Sequence, residues 1–157
     1  MTGAPEVIVV ATPTVGEVRT MLRALADRGR AAGAGRTWAV LGRLIVDDAL
    51  SENEGAVEHD LIGRQAVRLA VDKTLCVGDS RAVRALHQGA IMEGSWGDEA
   101  RLTGTADEAR AVLTADDDDW IPGAGDVVLV AADDPQVAAL ARLWADADPI
   151  ERDGVRA

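Results

Sequence analysis

The segments RTWAVLG, at Arg36–Gly42, and KTLCVGD, at Lys73–Asp79, decide how this chain folds. Each is a short and almost unbroken apolar run that leads into a glycine, which is typical of a strand buried on both faces of a sheet. A helical pattern lies between them, and a third apolar run, at Val127–Val130, follows later in the chain. Apolar strands that alternate with helices predict a mostly parallel sheet with helices on both faces.

Outward from these strands, apolar spacing and helix-capping residues predict the other elements. Val7–Val10 is a β-branched run that predicts a first strand, and Arg101–Thr103 predicts a short edge strand. Helices are predicted over about 15–30, 55–71, 82–90, 105–113 and 135–144. Their starts carry Thr14 with Glu17, Ser51 with Glu54, Thr105 with Glu108, and Asp134 before Pro135.

The predicted fold class is therefore α/β, a three-layer, Rossmann-like domain with about five or six strands. We expect this domain to span residues 1–148 and to be followed by a polar tail over 149–157. Its strand connections should be right-handed, as parallel crossovers almost always are.

The composition indicates a compact domain with an acidic surface. The 157 residues are 48% apolar, and 27 acids against 16 bases give a net charge of −11. Such a surface repels phosphate backbones and anionic lipids, so we expect neither nucleic-acid nor membrane binding.

No apolar run approaches the roughly 20 residues of a membrane span and no signal-peptide pattern is evident, which favours the cytoplasm. The single cysteine, Cys76, lies within a predicted strand and is expected to be buried and unreactive.

The basic residues indicate which kind of nucleotide site the sequence lacks. A P-loop needs Gly-x-x-x-x-Gly-Lys-Ser/Thr, because its backbone amides surround the phosphates and its lysine reaches the β and γ oxygens. The glycine-rich pieces, at Gly33–Arg36 and Gly123–Asp126, do not have this pattern. Lys73 is the only lysine, and its place at the start of a strand predicts a solvated side chain.

Ligands of parallel α/β sheets bind beyond the carboxyl ends of the strands, where neighbouring connections diverge. This rule places four loops of the chain around one crevice: 11–14, 42–47, 78–81 and 131–134. The two histidines, His59 and His87, have no spacing partner for a metal ion, and one cysteine cannot provide a zinc site. We therefore predict ligand-binding residues in these loops, but no metal site and no catalytic residue.

Five segments follow one another along the chain: RTWAVLG, EHDLIGRQAV at Glu58–Val67, KTLCVGD, the run at Ser80–Ala100, and PGAGDVVLV at Pro122–Val130. In this order and at these spacings they resemble the C-terminal domain of the Mur ligases, most closely the MurF branch. The resemblance extends from about Val7 to Leu143 and is strongest over Arg36–Gly97. It implies a dinucleotide-binding-like fold that closes over ATP held by a separate central domain and helps to bind the incoming amino acid or dipeptide.

At two loops the chain departs from the pattern that this resemblance implies. After the first strand the family carries acidic and amide residues, whereas Val9–Val15 reads VVATPTV and keeps only Thr12-Pro13. After the last apolar strand the family commonly carries cations, whereas this chain has Asp133 and Asp134. At about 4 Å and an effective dielectric near 20, reversing a charge changes an interaction by several kcal/mol, so the same anion is not expected to bind.

Several residues of these loops can be interpreted in two ways. Arg43, which stands where the family often has a glutamate, and Arg81 either give the crevice positive charge or are solvated. Ser80 either helps its turn to bind an anion or only caps the next helix. His59 either contacts a ligand or partner, or is a partly exposed side chain near a helix start. The predicted ligand-binding set is Thr12, Thr14, Gly42, Arg43, His59, Gly78, Ser80 and Arg81.

The acidic run and the tryptophans are interpreted as structural or as surface features. Asp116–Asp119 lacks the alternation of a calcium loop, which favours a solvated loop. Trp38 lies in a predicted strand and is expected in the core, and Trp144 lies on the apolar face of the last predicted helix. Trp96 and Trp120 lie in predicted loops, where they mark either a partner-binding surface or a lid packed on the domain.

The function that we expect from the sequence is binding rather than catalysis. The resemblance implies a free-standing, degenerate relative of the MurF C-terminal domain, inactive alone, that binds a small ligand or a partner protein. A second interpretation is a subunit of a split amide ligase of cell-wall or peptide natural-product synthesis. Its partner would be a Mur-ligase-like core or another biosynthetic enzyme, and ATP and magnesium would be needed only through that core. A third is a nucleotide-binding regulatory module, which only the fold favours; the oligomeric state stays open.

Overall fold

A computed structural model describes residues 4–31, 33–94, 98–115, 118–144 and 150–151. In this part of the chain, six strands alternate with five α-helices. The strands are β1 (Glu6–Val9), β2 (Thr37–Leu41), β3 (Lys73–Val77), β4 (Ala100–Thr103), β5 (Val127–Ala131) and β6 (Ile150–Glu151). The helices are α1 (Val15–Gly29), α2 (Glu52–Arg68), α3 (Arg81–Met92), α4 (Ala106–Leu113) and α5 (Pro135–Ala138). Short 3-10 segments lie at Asp118–Trp120 and at Ala139–Leu143.

Neighbouring strands all pair in parallel, in the order β4-β3-β2-β5-β1-β6. The register places Ala39 of β2 beside Thr74 of β3 and beside Leu129 of β5. The predicted α/β class, with its parallel sheet of five or six strands, is confirmed. The predicted edge strand is β4. The opposite edge is β6, a strand that was not predicted and that falls within the stretch 149–157.

Two apolar layers enclose the sheet, because β2, β3 and β5 are buried at every position. The helices α1, α2 and α3 cover one face and pack on side chains that include Ile8 and Leu129. The helices α4 and α5 and the 3-10 segments cover the other face, around Trp38. Trp38 is fully buried, which confirms its predicted core position, whereas Trp144 is half-buried and packs against this second layer.

Side-chain caps fix where the helices begin. Thr14 Oγ1 accepts a hydrogen bond from the amide of Glu17 at 3.1 Å and starts α1. Ser51 and Glu54 form a reciprocal capping box, which starts α2 at Glu52, three residues before the predicted start. The last predicted helix is α-helical for only one turn and then tightens into a 3-10 segment.

The prediction that Lys73 is solvated is wrong. Its register partner is Trp38, so its side chain points into the second apolar layer, and the residue is only 6% exposed. Its ammonium donates to the carbonyl oxygen of Asp98 and, at 2.9 Å, to the carboxylate of Asp119. It also lies 4.9 Å from the centre of the Trp120 ring. A buried ammonium needs such partners, because otherwise it loses its hydration without replacement.

The acidic run is likewise more than a solvated loop. Asp119 pairs with Lys73 and, at 3.9 Å, with Arg36. Hydrogen bonding from Lys73 is the main reason why the pKa of Asp119 is lowered. Asp116 and Asp117 lie outside the described residues, so their environment stays a prediction.

Trp120 is a core residue rather than a surface marker. It is 2% exposed and meets the ring of Trp38 edge-on, with 5.8 Å between the ring centres. The packing interpretation is therefore confirmed for Trp120, and the partner-surface interpretation is not. Trp96 lies outside the described residues.

The structure bears on the expectations for the Cys76 thiol and for membrane-spanning helices. Cys76 is fully buried, and burial raises the pKa of its thiol to about 12, so the thiol is unreactive as predicted. Within the described ranges, none of the helices combines the length and the apolar character needed to cross a bilayer.

Candidate functional site

Within the described part of the chain, three cavities open beside the carboxyl ends of the parallel strands. The central cavity, of about 290 Å³, lies between the connections that follow β2, β3 and β5. The α1 cavity, of about 350 Å³, lies between the start of α1 and the connection after β2. The α2–α3 cavity, of about 220 Å³, lies between that connection and the starts of α2 and α3. Cavities therefore lie at the edge of the sheet where a ligand crevice was predicted, but the expected single crevice is divided.

The gap between β2 and β5, where the connections diverge, is filled by direct packing. A Cβ placed on Gly42 would lie 2.7 Å from the Cβ of Ala132, so only glycine allows the two connections to touch here. The amide of Asp133 then donates to the carbonyl oxygen of Arg43 at 2.8 Å. Gly42 has a packing role at this point, and the open space is displaced towards β3.

A second closure separates the connection after β1 from the central cavity. Thr14 forms an isolated parallel bridge with Ile45, and the amide of Ile45 donates to the carbonyl oxygen of Pro13 at 2.8 Å. Thr14 consequently lines the α1 cavity. Thr12 is absent from the linings of the three cavities. The bridge explains why the four predicted loops do not surround one space.

The lining of the central cavity is acidic. Its charged residues are Arg43, Asp79, Asp133 and Asp134, which give a formal charge of −2. A guanidinium nitrogen of Arg43 lies 3.5 Å from Oδ2 of Asp133, and both side chains are largely exposed. Asp134 caps α5 by accepting the amide of Gln136 at 2.9 Å. Arg43 lines this cavity, but three carboxylates outnumber it.

The turn after β3 brings Gly78, Ser80 and Arg81 to the same edge, as predicted. Gly78 has φ 141°, a conformation that favours glycine, and its amide donates to the carbonyl oxygen of Thr103. Ser80 Oγ accepts the amide of Val83 at 3.2 Å and caps α3. Gly78 and Ser80 line the central cavity, whereas Arg81 lines the α2–α3 cavity.

His59 is buried, at 1% exposure, and the expectation of a partly exposed side chain is wrong. Its Nδ1 lies 2.8 Å from the carbonyl oxygen of Gly55, and its Nε2 lies 2.9 Å from the amide of Leu44. The Leu44 amide can only donate, so the imidazole is neutral with its proton on Nδ1. Burial, helped by the charge of Arg43, lowers the pKa of His59 below 6.5. The ring thus holds the β2 connection against α2.

The predicted set lacked seven charged residues that line the three cavities: Arg19, Asp47, Glu52, Glu58, Asp79, Asp133 and Asp134. Asp79 follows the glycine that ends β3, and this position alone could have identified it as part of the carboxyl edge. Glu52 lines the α2–α3 cavity because α2 begins there, whereas the apolar spacing placed the helix start later. The capping box formed by Ser51 and Glu54 was the sequence signal that could have placed the start of α2 at Glu52.

Part of the chain is similar to known ligases. Over 99 residues, 63% of the chain, it is 46% identical to UDP-N-acetylmuramoyl-tripeptide--D-alanyl-D-alanine ligase of Mycobacterium leprae (strain TN). Over 105 residues, 62% of the chain, it is 40% identical to the protein of the same name from Mycobacterium tuberculosis (strain ATCC 25618 / H37Rv). The chain is therefore similar to one segment of these MurF ligases.

The similarity covers only a segment of these MurF proteins. The chain spans 17% of the length of the first relative and 19% of the second. No protein-family profile matches the chain, and no solved structure matches it. This similarity confirms the resemblance to MurF found in the sequence.

Proposed function

We propose that the chain is a binding module of the MurF C-terminal type that recognises a small, amine-bearing ligand in its central cavity. The observation that supports this most is the charge of that cavity, where three aspartates face one arginine. The relatives are named as ligases of D-alanyl-D-alanine, a dipeptide with a free ammonium group. We propose a ligand of this class, an amino acid or short peptide, for this chain.

The electrostatic argument separates such a ligand from a nucleotide. At 4 Å and an effective dielectric near 20, a carboxylate attracts an ammonium, or repels a phosphate oxygen, by about 4 kcal/mol before salt screening. The exposure of Asp133 reduces this value but not its sign. With a lining charge of −2, an ammonium is favoured and a triphosphate is disfavoured.

We also propose that this chain has no ligase activity on its own. The sequence contains no Gly-x-x-x-x-Gly-Lys-Ser/Thr, and its only lysine, Lys73, is occupied by Asp119 and by the carbonyl oxygen of Asp98. The chain therefore lacks the glycine-rich loop amides and the free lysine with which a P-loop binds phosphate. We also propose that the module works in the cytoplasm, in keeping with its single buried thiol.

Calorimetry with D-alanyl-D-alanine, its N-acetylated form and ADP tests the binding proposal. We expect the free dipeptide to bind, and the N-acetylated form and ADP to bind at least about tenfold more weakly. Asp133→Asn should weaken dipeptide binding. Asp27→Asn, an exposed residue near the opposite end of α1, is the matched control and should not. Equal binding of ADP and dipeptide, or a preference for ADP, would reject an amine-specific cavity.

A second candidate function is supported by the similarity itself. The chain matches less than a fifth of proteins named as ligases, so it can complete a Mur-ligase-like core, or another biosynthetic enzyme, that lacks this segment. ATP and magnesium would then be bound by that core. A MurF core without the matched segment, mixed with this chain and assayed for ADP release, tests this candidate. Release that does not rise above that of the core alone argues against it.

The charge of the loop after β5 distinguishes the two candidates further. If the crevice contacts nucleotide, Asp133→Lys should raise the affinity for ADP, because it restores a cation beside the phosphates. If the cavity serves an amine, the same change should lower dipeptide affinity and leave ADP binding undetected. A binding titration with both ligands measures this directly.

A further inference from the structure

Exposed apolar side chains are concentrated on α3 and on β4, the outermost strand beside β3. Among the described residues five large apolar side chains are exposed, and three of them are Ile91, Met92 and Leu102. The free side of β4 and the adjoining side of α3 are called the β4 edge below. It consists of Arg84, His87 and Ile91 of α3 and of Arg101 and Leu102 of β4, none of which lines the three cavities.

The backbone of β4 is open for pairing at this edge. The carbonyl oxygens of Glu99 and Thr103 each accept an amide of the β3 segment at 2.8 Å, so the odd-numbered residues face β3. The amide and the carbonyl group of Leu102 therefore point away from the sheet. In the described part of the chain no strand pairs with them. An edge of this kind is a template for another extended segment.

The open stretch of backbone is short, because side chains close it on both sides. Glu108 Oε1 accepts the amide of Gly104, just beyond β4, at 2.7 Å. The imidazole of His87 hydrogen-bonds to the backbone of Ala100. An added segment can therefore pair with β4 mainly at Leu102, which suits a short extended peptide rather than the edge of a second large sheet.

The two faces of this edge differ in chemistry. Leu102 is the register partner of Cys76, so its side chain lies on the face of the sheet that α3 covers, where His87 and Ile91 are one helical turn apart. Arg101 points to the opposite face, and its guanidinium lies 5.2 Å from the centre of the Trp120 ring. Side chains of an added strand would alternate in the same way. Its complement therefore has apolar side chains towards Leu102 and acidic ones towards Arg101.

The charge of the β4 edge is opposite to that of the chain as a whole. The net charge of the chain is −11, yet α3 and β4 contain no acidic residue. Arg84 and Arg101 have no ion-pair partner among the described residues. A second copy of the chain would bring two more arginines to the same edge, and like charges across paired strands are destabilising. An acidic partner is therefore favoured over self-pairing.

We propose that the β4 edge docks a short extended segment of another protein in which β-branched apolar residues alternate with acidic residues. The amide and carbonyl group of Leu102 pair with the backbone of that segment, as in other cases of strand addition. The side chains of Leu102 and Ile91 contact its apolar residues, and Arg101 pairs with its carboxylates. This surface is separate from the cavities, so the proposal does not depend on the ligand proposed above.

The synthetic peptide acetyl-Glu-Val-Glu-Val-Glu-Val-Glu-amide tests the proposal, and the same peptide with lysine in place of glutamate is its charge-reversed counterpart. Amide NMR spectra of the whole chain are recorded during titration with each peptide. We expect the acidic peptide to shift the amides of Ala100–Thr103, to slow hydrogen exchange at Leu102, and to bind with a Kd of roughly 1 mM or lower. The lysine peptide should bind about tenfold more weakly.

Substitutions separate the contribution of charge from that of the backbone. Arg101→Glu should weaken the acidic peptide about tenfold and strengthen the lysine peptide by a similar factor. Leu102→Pro removes the outward amide and should abolish binding of both peptides, and proline is tolerated on an edge strand where the N–H faces solvent. Leu102→Val keeps the amide and a branched side chain and should retain binding.

The matched control for charge is Arg23→Glu, which changes an exposed arginine of α1, a helix that packs on β5 and not at the outer strand. It should leave both affinities unchanged. Far-UV circular dichroism of each variant checks the fold. If Leu102→Pro does not fold, the reversed preference of Arg101→Glu decides between the proposal and its rejection.

Three results would overturn the proposal. One is equal binding of the two peptides, and another is a set of shifts confined to Gly78 and Ser80 of the central cavity. The third is self-association in sedimentation experiments that itself slows hydrogen exchange at Leu102, because a second copy would then occupy the edge.

Discussion

The carboxylate of Asp126 accepts a hydrogen bond from the indole nitrogen of Trp38 at 3.0 Å, at the end of the sheet opposite the cavities. The same carboxylate accepts the amides of Arg36, at 2.8 Å, and of Gly123, at 3.1 Å. Asp126 is only 7% exposed, so these three donors replace its hydration. They join the start of β2 to the turn before β5 and hold the two central strands in register.

Asp126→Asn should destabilise the fold by about 2–3 kcal/mol, because the NH2 of the asparagine side chain cannot accept a hydrogen bond and would face a donor. Urea unfolding, followed by tryptophan fluorescence, measures the change. Asp48→Asn is the control, since Asp48 is exposed and should alter stability by less than about 0.5 kcal/mol. Equal stability of the two variants would show that this network does not hold the strands.

The pH dependence of stability should carry the signature of His59. Burial lowers its folded pKa below 6.5, so the unfolded chain takes up the proton first as the pH falls. The stabilisation is therefore fully present above about pH 6.5 and is lost as the pH falls through the folded pKa. Urea unfolding at intervals from pH 7.5 to 5 measures this slope.

His59→Gln keeps an acceptor for the Leu44 amide but cannot be protonated. It should cost about 1–2 kcal/mol at neutral pH and should flatten the decline below pH 6.5. His87 needs its own control, His87→Gln, because burial lowers its pKa as well. A His59→Gln variant that keeps the full slope would assign the pH dependence to other groups.

The contact between α2 and α3 depends on glycine. A Cβ on Gly63 would lie 2.0 Å from the carbonyl oxygen of Leu86, and one on Gly89 would lie 2.1 Å from that of Asp60. Backbone atoms cannot move aside as a flexible side chain can, so Gly63→Ala should cost about 1–3 kcal/mol. Gly16→Ala is the contrasting variant: with open space around it, it should gain up to about 1 kcal/mol. Similar effects of both changes in thermal unfolding would contradict this close approach.

Cys76 should report global unfolding. Its thiol is fully buried with a pKa of about 12, so a thiol reagent at pH 8 should find no thiolate in the native protein. In denaturing urea the pKa returns to near 8.5 and the single thiol should react within minutes. Rapid labelling of the native protein would mean that β3 opens without global unfolding.

The similarity to MurF and the acidic cavity lead to different expectations about nucleotide. Ligases of this name act on a dipeptide, and the resemblance implies a domain that closes over ATP bound elsewhere. In this chain, Asp133 and Asp134 lie beside Gly78 and Ser80, so the edge that would meet phosphate is negatively charged. The proposed preference for an amine follows from this placement, and the titrations described above decide it.

Local sequence determined the layered fold, because the signals act over a few residues. The strands β2, β3 and β5 are apolar at almost every position, which predicts burial on both faces. Thr14, Ser51 and Thr105 cap their own helices within three residues. The position of the cavities at the carboxyl edge followed from the parallel topology alone.

Only the tertiary structure decided the environments of Lys73 and His59 and the division of the crevice. The partners of Lys73 lie 25 and 46 residues away, and Leu44 lies 15 residues from His59. The bridge between Thr14 and Ile45 joins two separate connections. Whether a charged side chain is solvated or buried depends on which distant groups replace its hydration, and spacing along the chain does not contain that information.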